Sequence, residues 1–175
     1  MHLRFTSRPF DKVPARCAVV TLFSDVRPLM GNGALLDWRM NGRLSRLLKS
    51  SRFEGQPGEL LLMPSEGRIR AEKILAVGLG TRGSFVGTRL SDLIPLLLDV
   101  LSHSKTSDFL LSLSDIIDDR FEWRNGVRLL VSKLHDYSSL SSVTLCEMED
   151  CVKDAKRRHM DFGYNVDVSF ESFAA

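Results

Sequence analysis

Residues 73–85 read KILAVGLGTRGSF. An apolar run, Ile74 to Val77, leads into Gly78-Leu79-Gly80-Thr81-Arg82-Gly83, which matches the dinucleotide fingerprint G-x-G-x-x-G letter for letter. In that fingerprint the first glycine makes the turn and the second lets backbone approach a pyrophosphate. The third allows close helix packing, and the helix N-terminus faces the phosphates. An acid about 20 residues later meets the ribose. Here the context differs. Ser84-Phe85-Val86-Gly87-Thr88 reads as loop, and helical periodicity begins only near Ser91. The next strand-like run, Phe109 to Leu113, ends at Ser114-Asp115, which places its acid 32 residues beyond Gly83. More than 70 residues precede the motif, whereas such a unit usually opens its domain. The stretch therefore reads as a buried strand running into a flexible loop, and no dinucleotide is expected on it.

Working outward, strands and helices alternate. Leu3 and Phe5 alternate with polar neighbours as a short edge strand, and residues 16–23 (RCAVVTLF) form a near-continuous apolar run of buried-strand type. Residues 30–53 carry helical periodicity, with Leu36, Met40, Leu44, Leu47 and Leu48 on one face and a break at Asn41-Gly42. Strands follow at 58–64, stopped by Pro64, and at 73–80. The run from Arg89 to Ser104 is a helix with Ser91 as its cap, which puts Pro95 in or just past the first turn. A strand at 108–114 precedes a helix at 119–137 whose inner face holds Trp123, Val127, Leu130, Val131 and Leu134. A strand at 142–148 and a charged helix at 149–160 lead to FGYNVDVSF, 162–170. There Phe162, Tyr164, Val166, Val168 and Phe170 alternate with polar or small residues, the mark of a half-exposed strand. The order implies an α/β three-layer sandwich, a mixed, mostly parallel sheet between helices, with the last strand as an antiparallel edge. The tail closes this sheet or pairs with a second chain, closure being favoured.

The composition suits one soluble domain spanning 1–175. The apolar share is 43% and the charged share 26%. No window approaches the ~18 unbroken apolar residues of a membrane helix, and the first residues lack a signal-peptide core. Cys17, Cys146 and Cys151 make no disulfide framework, which points to the reducing cytoplasm. Net charge is +2 but unevenly spread, at +7 over residues 1–87 and −5 over 88–175. Such polarity can steer a partner or an oligomer.

The segment GALLDWRMNGRLSRLLKSSRFEGQPGELLLMPSEGRIRAEKILAVGLGTRG, 33–83, resembles the amino-terminal domain of the cytosolic leucine aminopeptidase family. The ordered features are Asp37, Gly42, Leu44, Leu47-Leu48, Phe53-x-Gly55, Gly58-Glu59, the Leu-rich strand ending at Pro64, and Val77-Gly78-Leu79-Gly80. The resemblance covers residues 20–83 by letter and the remainder by element order. It implies a non-catalytic domain with a fold similar to macro domains, in which the Val-Gly-Leu-Gly strand is central and binds no dinucleotide. In full-length relatives a larger domain follows, carrying two metal ions held by a Lys and several carboxylates, with a block reading Asn-Thr-Asp-Ala-Glu-Gly-Arg. None of these blocks occurs in these 175 residues. The expectation is therefore a free-standing module without catalytic residues, metal or cofactor, acting through itself or another protein, a full-length aminopeptidase included.

Other constellations read as structural. Asp115, Asp118 and Asp119 precede a helix and are expected to cap it rather than to bind metal. Cys146, Cys151 and His159 lack a fourth ligand and the tight spacing of a zinc site. His103 and His135 fall near helix C-termini, where a histidine complements the dipole. Arg39, Arg43 and Arg46 recur at helical spacing with Lys49 and Arg52 beyond, and Lys153, Lys156, Arg157 and Arg158 form a second basic patch. Interleaved aromatics for base stacking are missing, so nucleic acid is the second alternative. The first alternative is a nucleotide such as ADP-ribose at the strand ends. Its walls would be Gly31, Asn32 and Gly33 together with Gly78, Gly80, Arg82 and Gly83.

Overall fold

The computed structural model describes residues 1–85, 89–117, 119–158, 160 and 162–171. The strands are β1 (His2–Thr6), β2 (Ala15–Leu22), β3 (Leu60–Pro64), β4 (Ala71–Gly78), β5 (Asp108–Leu111), β6 (Ser142–Cys146) and β7 (Asp167–Glu171). The helices are α1 (Gly31–Arg39), α2 (Arg43–Lys49), α3 (Leu90–His103), α4 (Arg120–Leu134) and α5 (Glu149–Arg157). One sheet holds the strands in the order β3-β4-β2-β5-β6-β1-β7. Every neighbouring pair runs parallel except β3 with β4.

The alternation of side chains along each strand builds two cores, one on each face. Cys17 and Val19 of β2, Leu75 and Val77 of β4, and Phe109 and Leu111 of β5 pack with α3, α4 and α5. Ala18 and Val20, Ile74 and Ala76, and Leu110 point the other way, onto Leu36 and Met40 at α1 and Leu44 and Leu48 of α2. The helical break at Asn41-Gly42 is present, with φ of +53° and +73°. Trp123, Val127, Leu130, Val131 and Leu134 are all buried, as the period of α4 requires. The result is the three-layer sandwich, and among the described residues no helix is long and apolar enough to cross a membrane.

Four expectations are corrected. The last strand is not antiparallel: β7 lies parallel to β1, and the antiparallel edge is β3, joined to β4 by a hairpin. A side-chain pattern fixes which face is buried but not the direction of a strand. The long path through α5 returns the chain in the same sense as β1. For the same reason β1 is not an edge, because β7 adds outside it. His2 bonds Asp167 Oδ2 and Ser169 Oγ, both at 2.9 Å, and Phe5 stacks on Phe170 with centroids 5.3 Å apart. Ordered strand is confined to Asp167–Glu171. Gly163 turns left-handed before it, and Tyr164 stacks on His135 instead. Finally, Ser91 is not a cap: α3 begins at Leu90 with Arg89 before it, so Pro95 sits in the second turn.

Candidate functional site

The glycines of residues 78–83 have separate uses. A Cβ on Gly78 would be driven into the Gln56 carbonyl, because residues 55–57 cross directly over the end of β4. Gly80 is left-handed, with φ +77°, and lies under the Pro57 ring. These close approaches let Gly80 N–H donate to the Gly55 carbonyl at 2.8 Å and Ser24 N–H donate to the Gly80 carbonyl at 2.8 Å. Gly83 has open space around it and belongs to a short 3-10 turn, Arg82–Ser84. No α-helix opens there, since α3 starts at Leu90. Val86, Gly87 and Thr88 lie outside the described residues.

The carboxyl ends of the parallel strands frame a small cavity of about 170 Å³, bounded by Phe23, Met30, Gly31, Arg82, Ser114 and Asp115 among others. Of the sequence-derived candidates it brings together Gly31 and Arg82. Asn32 contributes its backbone N–H, while Gly33 packs inward against Leu22. Gly78, Gly80 and Gly83 do not line this cavity. Arg82 lies over the Phe23 ring at 5.7 Å, and its N–H donates to Asp25 Oδ1 at 2.9 Å.

The residue that sequence reasoning misplaced is Asp115. Instead of capping α4, it reaches across to α1, where Asn32 N–H donates to its Oδ2 at 3.1 Å. A Cβ on Gly31, which has φ +54°, would lie 2.5 Å from Asp115 Oδ1. An internal carboxylate thus fills the positive end of the α1 dipole, a position that favours negative charge. Burial raises the Asp115 carboxyl above its usual range, while the Asn32 hydrogen bonds work the other way. Asp119 does cap α4: Glu122 N–H donates to its Oδ1 at 3.0 Å. Asp118 and His159 lie outside the described residues.

Beneath Asp115, the buried Glu147 clamps the loop that carries it. Leu113 and Ser114 donate backbone N–H bonds to Glu147 at 2.8 and 2.9 Å, and the Ser112 hydroxyl lies 3.5 Å away. Burial pushes the Glu147 carboxyl up to about 7 against the pull of these bonds. The three cysteines are buried and form no disulfide, and burial pushes the Cys17 and Cys146 thiols up to about 12, so neither supplies a thiolate at neutral pH. Among the described residues no group of three or more His, Cys, Asp or Glu can hold a metal ion.

A second concavity lies between the β3–β4 end and α3. It is a largely apolar groove of about 370 Å³ lined by Pro57, Gly58, Gly78, Leu79, Phe85, Arg89, Asp92, Leu93 and Leu96. Leu96 is 46% exposed. Leu62, 39% exposed, lies opposite Leu75 in the hairpin and therefore on the α3 side of the sheet.

The basic residues separate. Arg39 leaves its helical stripe to pair with the buried Asp11 at 2.7 Å. On α5, Lys153 pairs with Glu149 and Arg158 with Asp154, as on a solvated helix face. Arg43, Arg46 and Arg52 stay together and meet Arg68 around a third concavity.

The sequence profile of the cytosol aminopeptidase family, N-terminal domain, matches residues 19–138. A probable cytosol aminopeptidase of Sulfurihydrogenibium sp. (strain YO3AOP1) is 26% identical over 111 residues, which cover 63% of this chain and 22% of that protein. The chain thus spans about a quarter of the length of the curated relatives it matches. Among solved structures, a leucine aminopeptidase from tomato superposes with a TM-score of 0.66 at 14% identity, covering 89% of this chain and 35% of that one. A Trypanosoma brucei macrodomain in complex with ADP-ribose gives a TM-score of 0.68 at 15% identity, covering 89% and 68%. At such identities the superpositions show the shared fold alone.

Proposed function

This chain belongs to the cytosol aminopeptidase family through its N-terminal domain, and from that premise we propose that it is a non-catalytic interaction module, 1–175 acting as one domain. Its partner is a chain of the same family, either a second copy of itself or a full-length aminopeptidase. Only the N-terminal domain of the family is matched. The observation that carries the reading is the apolar groove between the β3–β4 end and α3, where Leu96 stands exposed, with exposed Leu62 on the same side of the edge strand β3. Large exposed apolar side chains beside a shaped groove favour burial against protein. A cytoplasmic location goes with this reading, since three cysteines outside any disulfide suit a reducing compartment.

Light scattering over a range of concentrations, for the chain alone and mixed with a cytosol aminopeptidase, tests the proposal. A complex that Leu96→Asp abolishes without lowering the thermal midpoint is expected. A monomer that binds neither itself nor the aminopeptidase contradicts it. Leucine anilide turnover with manganese or zinc that follows the protein through re-purification contradicts the non-catalytic half.

One observation favours a second reading, a nucleotide such as ADP-ribose at the strand ends: the cavity at the N-terminus of α1 has Arg82 on its wall. The Asp115 carboxylate weighs against it by already accepting the Asn32 N–H at the N-terminus of α1. A clear rise in thermal midpoint with ADP-ribose would promote this reading over the first.

A further inference from the structure

The third concavity, about 590 Å³, lies on the opposite flank from the apolar groove, between α2 and the β3–β4 hairpin turn. Arg43, Arg46, Arg52 and Arg68 surround it, with Glu66 as the only carboxylate. Elsewhere several arginines each face a carboxylate, as in Arg8–Glu171, Arg16–Glu72 and Arg124–Asp154. Here four guanidinium groups line a cavity with one carboxylate, which Arg43 and Arg68 approach. Arg43 Nη1 lies 2.5 Å from Glu66 Oε1, and Arg68 Nε lies 3.9 Å from Glu66 Oε2. Glu66 therefore neutralises one charge and marks where the guanidinium donors converge. Arg46 donates to the Asn41 carbonyl at 2.6 Å and keeps its remaining N–H groups for another acceptor. Arg52 has no ion-pair partner among the described residues.

The backbone around this concavity is unusual. Among the described residues, four non-glycine positions have positive φ; two of them, Asn41 and Glu66, line it, and a third, Ser51, lies between the lining residues Ser50 and Arg52. Asn41 turns α1 into α2, Ser51 ends α2 and projects Arg52, and Glu66 begins the hairpin turn that presents Arg68. Left-handed turns at non-glycine residues are costly, and each of these three orients a wall of the same cavity.

We propose that this cavity is an oligophosphate site, binding a chain of two or more linked phosphates, free or as the tail of a nucleotide. Planar guanidinium forks match phosphate oxygens in pairs. A single phosphate brings about two negative charges, short of what four arginines and one carboxylate leave unbalanced, whereas a linked chain matches it. The lining contains no aromatic ring, so the site reads charge rather than a base.

The test is calorimetry with inorganic tripolyphosphate, orthophosphate and ATP at two salt concentrations. Tripolyphosphate binds at least tenfold more tightly than orthophosphate, and added salt weakens it. The double variant R46E/R52E, both positions being exposed, loses tenfold or more in affinity with an unchanged thermal midpoint. R52Q alone gives a smaller loss, and E66Q, by releasing Arg43 and Arg68, gives a gain. Equal affinity for ATP and tripolyphosphate identifies the phosphate chain as the whole ligand, and tighter ATP identifies a nucleotide as its source. Equal binding of orthophosphate, affinity retained in both arginine variants, or binding of duplex DNA without tripolyphosphate overturns the proposal.

Discussion

At the N-terminus of α1 and in the cavity beside α2, donor groups converge on space that an anion can fill. The first position supplies its own anion. Asp115 crosses from the end of β5 to accept the Asn32 N–H, and Glu147 below holds its loop by two backbone bonds. The second supplies one carboxylate, Glu66, for four arginines. Both are built on left-handed turns, Gly31 at one and Asn41, Ser51 and Glu66 at the other. The difference teaches that a helix terminus can be closed from inside by a single side chain, while a surface cavity elsewhere keeps its charge unbalanced.

The largest expected effect lies at the clamp of the closed position. Glu147→Ala orphans the N–H groups of Leu113 and Ser114 and costs about 3 kcal/mol in urea unfolding at pH 6. The pH dependence has a definite sign. Because the folded carboxyl titrates near 7, above its ordinary 4.5, the folded chain holds this proton more tightly than the unfolded chain does. The stability it contributes is complete below about 4.5 and is lost as pH rises through about 7. Asp115, also raised, adds in the same direction. Unfolding midpoints from pH 5.5 to 8.5 should fall, and Glu147→Gln should flatten most of that slope. A slope that survives in Glu147→Gln would assign the pH dependence to other groups.

Next in size is the contrast within the glycine loop. Gly78→Ala forces the crossing segment off the end of β4 and costs about 2 kcal/mol. Gly83→Ala, with open space around it, stays within about 0.5 kcal/mol of the parent. Denaturant midpoints of the two variants measure the difference, and equal losses would contradict the separate uses of the two glycines.

What the sequence made legible was local. The apolar runs of β2 and β4 required burial on both faces, and the 3.6-residue period of α4 named its inner face residue by residue. Strand direction at β7 was not legible, because alternation is the same for parallel and antiparallel edges. Nor was the position of β1, since its outer neighbour comes from the far end of the chain. At the candidate sites the deciding partners are distant in sequence. Asp115 meets Asn32 across 83 residues, Arg43 meets Glu66 across 23, and Arg39 turns from its stripe to the buried Asp11. A helical wheel shows the stripe but not the carboxylate that removes one member from it.

A smaller effect sharpens the comparison at Asp115 itself. Asp115→Asn preserves size and one acceptor oxygen but removes the charge from the helix terminus, at a cost of about 1 kcal/mol or less. With the carboxylate gone, inorganic phosphate should raise the thermal midpoint of the variant more than that of the parent. An equal response in both would mean that Asp115 does not hold that position closed.

Amide chemical shifts followed during titration with tripolyphosphate test both halves of the comparison in one experiment. The account predicts that amides from Asn41 to Arg52 and at Arg68 move saturably while those of Gly31 and Asn32 stay in place. Saturable movement at Gly31 and Asn32, with the arginine cavity unperturbed, would contradict it.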